Sequence, residues 1–170
     1  DMALPATSID KQDINIHEAT EHVIDLFKFD LKNKNIIFEK DYDPSIPDVH
    51  TNKEQLVQAL INLVRNSIQA LDYKGDIILR TRSESSYTIG NKKFKLVAKI
   101  DVIDSGPGIP EEKLKEIFYP MVSTKNEGMG LGLTIAQSIV MQNSGLIECS
   151  SKHRETKFTI VLPIRSYEDD

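Results

Sequence analysis

Asp104-Ser105-Gly106-Pro107-Gly108-Ile109-Pro110 and Gly128-Met129-Gly130-Leu131-Gly132-Leu133 are the stretches around which the chain is organised. Glycine at the hand-over from a regular element to a loop lets backbone N–H groups approach a ligand closely and allows positive φ. A strand-like run precedes Asp104, and a helix-like run follows Gly132. The first turn of a helix offers free N–H groups and a positive dipole end to an anion. A carboxylate beside two glycine-rich loops therefore suits a nucleotide pocket. The acid would read the base, and the backbone would cradle the phosphates.

Working back from Asp104, residues Phe94, Leu96, Ala98, Ile100 and Val102 share one strand phase. Lys93, Lys95, Lys99 and Asp101 share the other. A strand alternates faces with period two, so Asp104 falls on the apolar, core-facing phase. A buried carboxylate without a partner is costly. A bound ligand, a salt bridge or the Asp-Ser-Gly turn itself would satisfy it.

Upstream, residues 52–71 carry a helical apolar face of Leu56, Leu60, Leu63, Val64, Ile68 and Leu71. Asn52 and Gln55 form a capping-box pattern at its start. Gln58, Asn62, Arg65, Asn66 and Gln69 make a polar stripe at spacings of three and four. That stripe is either a solvated face or a row of functional amides. A second helix is expected over 18–31, from Ala19, Val23, Leu26, Phe27 and Leu31. An edge strand is expected at 13–16 and another strand at 35–42, stopped by Pro44 and Pro47.

Lys74-Gly75-Asp76 reads as a turn, and Gly90-Asn91 as a hairpin between strands at 76–82 and 93–103. Pro110-Glu111-Glu112 opens a short helix running to about Phe118. Residues 119–129 lack periodicity and read as a lid, in which Lys125 is either a phosphate contact or an ordinary surface lysine. Leu133, Ala136, Ile139 and Val140 mark one more helix. Strands at 146–151 and 156–162 close the domain at Pro163. The order predicts an α+β fold, with helices on one face of a mixed sheet.

Composition narrows the classes. The 170 residues suit one domain, with a linker at 1–12, the domain at 13–165 and an acidic tail at 166–170. The net charge of −5 argues against a nucleic-acid binder. Cys149 is the sole cysteine, which suits a reducing, cytoplasmic setting and excludes an intrachain disulfide. No apolar run is long enough for a membrane helix. The glycine clusters match neither a GxGxxG fingerprint nor a Walker loop. The four histidines are scattered, so a metal cluster or triad has no support.

These residues also carry a family likeness. Asn62-Leu63-Val64-Arg65-Asn66 resembles the N box of the gyrase, Hsp90, histidine kinase and MutL superfamily. Asp104 to Gly108 resembles its G1 box, Ile117-Phe118-Tyr119-Pro120 its F box, and Gly128 to Leu133 its G2 box. Three further stretches resemble the nitrogen-regulatory sensor kinases of the NtrB type: Asp41 to Pro47, Phe118 to Lys125, and Leu162-Pro163-Ile164.

The resemblance implies a Bergerat fold with three main helices over a five-stranded mixed sheet. It implies an ATP-binding catalytic domain that phosphorylates a histidine on a separate dimerisation domain. Asp104 would take the adenine amino group, with Gly106 and Gly108 shaping the base pocket. Asn66 would hold Mg²⁺, and Asn62 would contact phosphates or a metal-bound water. Gly128, Gly130, Leu131 and Gly132, with Lys125, would order the lid over the triphosphate, and Thr156 would approach the base through water. The implied partners are the upstream phosphoacceptor domain, an NtrC-like response regulator and a PII signalling protein. His17-Glu18-Ala19 lacks the pattern of a phosphoacceptor motif. A superfamily ATPase, a serine kinase and a non-catalytic nucleotide sensor are the alternatives.

Overall fold

The computed structural model describes residues 10–30, 35–117 and 127–169. β1 (Gln12–Ile14) leads into α1 (Ile16–Asp30), and the Asn15 side chain accepts the His17 N–H at 2.9 Å. β2 (Asn35–Asp41) and β3 (Val49–Thr51) precede the long helix α2 (Lys53–Ala70). β4 (Lys74–Ile89) and β5 (Lys92–Asp104) form a long hairpin, followed by the one-turn α3 (Glu111–Leu114). α4 (Glu127–Gln142), β6 (Leu146–Lys152), β7 (Glu155–Ser166) and a 3₁₀ turn at Tyr167–Asp169 complete the order.

The main sheet has the order β2-β4-β5-β7-β6. β2 runs parallel to β4, and the other neighbours are antiparallel. β1 and β3 make a separate antiparallel pair. α1, α2 and α4 bury one apolar stripe each against the sheet, in a single core with Leu60, Leu63, Leu79, Ile100, Leu133 and Ile160 at its centre. Each such side chain contributes about 1.5–3 kcal/mol by leaving water. The α+β architecture expected from the order of elements, a mixed five-stranded sheet with helices on one face, is the one observed.

Several local expectations are corrected. Phe94 lies on the outer face with Val97 and Val161, not with Ala98, Ile100 and Val102. Pairing with β7 is irregular between Phe94 and Val97, and this bulge shifts the phase. Beyond it the alternation holds, and Asp104 reaches the core side. The turn expected at Lys74–Asp76 falls one step earlier, with Asp72 and Tyr73 at φ 54° and 65°, and Lys74 already pairs with Asn35. Pro163 does not end the last strand, because β7 continues to Ser166. β6 pairs with β7 only as far as Val161, so Pro163 lies on an edge where a missing N–H costs no ladder bond.

α4 begins at Glu127, so Gly128, Gly130, Leu131 and Gly132 lie within the helix rather than in a loop before it. Of the 18–31 face, Ala19, Val23 and Phe27 are buried, while Leu26 is exposed and Leu31 lies outside the described residues.

The capping box at Asn52 is half formed. Asn52 accepts the Gln55 N–H at 2.8 Å. Gln55 Oε1 does not return the bond; it accepts from Asn143 Nδ2 at 3.1 Å. The Asn52 N–H goes instead to Asn143 Oδ1 at 3.2 Å. An amide far along the chain has replaced the local partner.

Candidate functional site

β5 ends at Asp104, which stands opposite Thr156 of β7 and Ile77 of β4. Asp104 is 2% exposed, and its Oδ1 accepts the Gly106 N–H at 2.9 Å. Among the described residues it has no ion-pair partner. Burial pushes its carboxyl above the usual carboxylate range, and the Gly106 N–H and the nearby Ser67 hydroxyl pull it partly back. No described residue supplies the salt bridge, and the turn satisfies one of the two oxygens through the Gly106 N–H. The remaining capacity fits a donor supplied from outside the chain.

The loop after Asp104 is stitched down on both sides. Ser105 and Asp76 exchange two bonds: the Ser105 N–H donates to Asp76 O at 3.2 Å, and the Asp76 N–H donates to Ser105 Oγ at 3.1 Å. On the other side the Ile109 N–H donates to Ser151 Oγ at 2.7 Å. Gly108 sits at φ +89°, and a Cβ there would stand 2.8 Å from the Lys152 carbonyl oxygen. Only glycine meets both demands. The loop walls two clefts. One, of about 320 Å³, lies between Ala70, Gly106 and the β6–β7 turn, and the other, of about 410 Å³, lies beside Gly108 and Ile109.

The polar stripe of α2 divides in two. Gln58, Arg65 and Gln69 are exposed, whereas Asn62 and Asn66 are buried. Asn66 Nδ2 donates to the Asn62 carbonyl at 2.8 Å, which fixes the amide. Among the described residues Asn66 Oδ1 is thereby left buried without a partner, and so is Asn62 Nδ2. Buried polar atoms in folded proteins are nearly always paired. A lone amide oxygen suits a hard cation, which prefers oxygen ligands and keeps several waters. Among the described residues no group of three His, Cys, Asp or Glu side chains is arranged to hold a metal. A single neutral ligand at Asn66, with phosphate oxygens supplying the rest, is the arrangement these residues fit.

Thr156 is buried, and its hydroxyl lies 3.4 Å from Ser151 Oγ. Burial, and then the charge of Asp104, push the Cys149 thiol to about 12, so it stays protonated and is no nucleophile. Asp104, Gly106, Gly108 and Thr156 thus meet around one loop, which α2 touches through Ala70 and Leu71 at Gly106. Lys125 lies outside the described residues. Gly128, Gly130, Leu131 and Gly132 lie in the opening turns of α4. Sequence reasoning passed over Ser67, Ser105 and Ser151. A serine in a loop or helix carries no pattern of its own, and only the strand register brings Ser151 to the loop.

Residues 51–166 match the family described as histidine kinase-, DNA gyrase B-, and HSP90-like ATPase. The sensory histidine kinase/phosphatase NtrB of Escherichia coli O157:H7 is 43% identical over 163 residues, which are 95% of this chain and 46% of that protein. The NtrB of Rhizobium meliloti is 34% identical over 161 residues, 91% of this chain and 42% of that one. The chain therefore spans less than half the length of these relatives. The solved catalytic domain of the histidine kinase ThkA, free of nucleotide, has a TM-score of 0.76 at 31% identity and covers 91% of this chain and 96% of that one. ThkA in complex with the response regulator TrrA has a TM-score of 0.74 at 29% identity, covering 95% of this chain and 44% of that one. The chain belongs to the histidine kinase-, DNA gyrase B- and HSP90-like ATPase family, in which its likeness is to the catalytic domains of histidine kinases.

Proposed function

We propose that this chain binds Mg²⁺-ATP and passes the γ-phosphoryl group to a histidine on a separate dimerisation domain. The bond from the γ-phosphorus to its bridging oxygen breaks, a phosphorus–nitrogen bond forms on the imidazole, and ADP leaves. The observation that carries the reading is the orphaned, buried Oδ1 of Asn66, one turn of α2 before Ala70, which meets the loop after the buried Asp104 at Gly106. Asn66 Oδ1 would be the protein ligand of Mg²⁺, which supplies charge neutralisation across the phosphates. Asp104 would take the amino group of the base, Gly106 and Gly108 would bring backbone against it, and Thr156 would line its far side. Lys125 and the glycines of early α4 would face the triphosphate.

Nitrogen-regulatory signalling follows the NtrB relatives. A response regulator of the NtrC kind is the onward acceptor in this reading, and a PII protein the regulator. A response regulator is the partner named for ThkA. A cytoplasmic setting belongs to the same proposal; no described helix is long and apolar enough to cross a membrane.

The test is transfer of labelled phosphate from ATP to a supplied phosphoacceptor domain. Asn66→Ala should abolish transfer and remove the gain in ADP affinity that Mg²⁺ gives the wild type. Full transfer by Asn66→Ala would remove the metal assignment. A second expectation separates this reading from a superfamily ATPase. Asn62 is an amide that takes no proton near neutral pH, so it does not activate water as a base. Steady-state hydrolysis by the chain alone should be slow, well under the about 10 s⁻¹ typical of enzymes. Rapid phosphate release in a coupled assay would favour the ATPase.

A further inference from the structure

Strand register alone brings Ser151 to the loop after Asp104. Asp104 of β5 stands opposite Thr156 of β7, and Thr156 stands opposite Ser151 of β6. Partners across a sheet share a face, so all three side chains lie on the core side. The neighbouring Ser150 falls on the other face and is exposed.

The loop folds back over the end of this row. In the stretch Pro107-Gly108-Ile109-Pro110 the two prolines have no N–H to offer. The Ile109 N–H donates to Ser151 Oγ at 2.7 Å, shorter than the roughly 2.9–3.0 Å usual for such bonds. Among the described residues this is the one hydrogen bond from that stretch to the sheet. The Ser151 hydroxyl spends its own proton on the Glu155 carbonyl at 3.3 Å. A Cβ on Gly108 would stand 2.9 Å from Ser151 Oγ. The loop is therefore pressed against β6 at Gly108 and pinned there by one hydroxyl.

We propose that Ser151 is a positioning residue for the nucleotide, its hydroxyl fixing Gly108 and Ile109 over the end of β6 so that this wall of the pocket is formed before the nucleotide arrives. A wall fixed in advance need not be ordered at the expense of binding. Without the hydroxyl the Ile109 N–H turns to water, and residues 107–110 lose their tie to the sheet. This inference rests on the base-pocket role proposed for Gly108, which Ser151 serves without touching the ligand.

The experiment compares the 170-residue chain with Ser151→Ala, Ser151→Thr and Ser150→Ala. It reads ADP affinity by calorimetry, and hydrogen exchange at the Ile109 amide by NMR without nucleotide. Ser151→Ala should weaken ADP about fivefold, in line with the loss of one neutral hydrogen bond. It should also speed exchange at Ile109 about tenfold or more, with β6 and β7 unchanged. Ser151→Thr keeps the hydroxyl and should return both readouts to within twofold of wild type. Ser150→Ala should move neither. Affinity of Ser151→Ala within twofold of wild type would overturn the proposal. So would unchanged exchange at Ile109, or a threonine variant no better than alanine. A loss of affinity accompanied by faster exchange throughout β6 and β7 would make the serine structural, and would overturn it too. If the wild-type chain binds ADP, any of these outcomes removes Ser151 alone. A wild-type chain that binds no ADP removes the base pocket and Ser151's role in it together.

Discussion

Asp104→Asn should cost the domain its nucleotide and make the empty domain more stable. The carboxylate is buried, has no cation among the described residues, and spends one oxygen on the Gly106 N–H. Asparagine is nearly isosteric and keeps one acceptor for that N–H. Its other atom is then an amide nitrogen, which meets the amino group of the base donor to donor. Turning the amide over only moves the conflict to Gly106. Hydrogen bonds to charged groups contribute about 1.5–3 kcal/mol, so ADP affinity should fall by roughly 10- to 100-fold or more. Calorimetric titration of the variant checks this, and affinity within threefold of wild type would remove Asp104 from the base site.

Stability should move the other way, with a definite pH dependence. Burial raises the Asp104 carboxyl above its ordinary value of 3.8, so the folded chain holds this proton to higher pH than the unfolded chain does. The group therefore favours folding below the unfolded value, and that contribution is lost as pH rises through the folded value. At neutral pH the ionised side chain is a standing cost. Asparagine removes both the cost and the slope. Melting curves between pH 4 and pH 8 should show the variant above the wild type, with the gap widening toward neutral pH. Each kcal/mol recovered corresponds to about 2–4 °C in a domain of this size. A gap that closed toward neutral pH would contradict the burial argument.

Asn143→Ala should be among the most damaging single changes that touch no ligand. This residue follows α4 and is 4% exposed. Its Oδ1 accepts from Thr51 Oγ1 at 2.8 Å and from the Asn52 N–H at 3.2 Å. Its Nδ2 donates to Gln55 Oε1 at 3.1 Å and to the Ile139 carbonyl at 2.9 Å. One amide thus ties the end of α4 to β3 and to the first turn of α2. Alanine leaves the buried Thr51 hydroxyl and the Asn52 N–H without partners. Unsatisfied buried groups cost about 1–3 kcal/mol each, so a loss of about 2–4 kcal/mol is expected. That is a drop of roughly 5–15 °C in Tm. α2 carries Asn62 and Asn66, and α4 carries the glycine run, so ADP affinity should weaken as well. A melting temperature within 2 °C of wild type would show that local capping suffices for α2.

Period and residue type alone account for one part of this protein. Alternation along β5 placed Asp104 on the core side, helical spacing over 52–71 found α2, and the order of elements predicted helices over a mixed sheet. The motif likeness marks the family through residue type and order alone. Those inferences hold because burying an apolar face demands one repeat per kind of element, and the repeat is written locally.

The three-dimensional fold settles whatever depends on partners distant along the chain. It separated the buried Asn62 and Asn66 from the exposed Gln58, Arg65 and Gln69, although all five share one helical stripe. It slipped Phe94 to the outer face through a bulge, and it let β7 pass through Pro163 because β6 stops short of it. It brought Ser151, Asp76 and Asn143 to positions that no local pattern marks. A hydrogen bond across the sheet or between helices depends on where two remote segments meet. Spacing within either segment carries no record of that meeting.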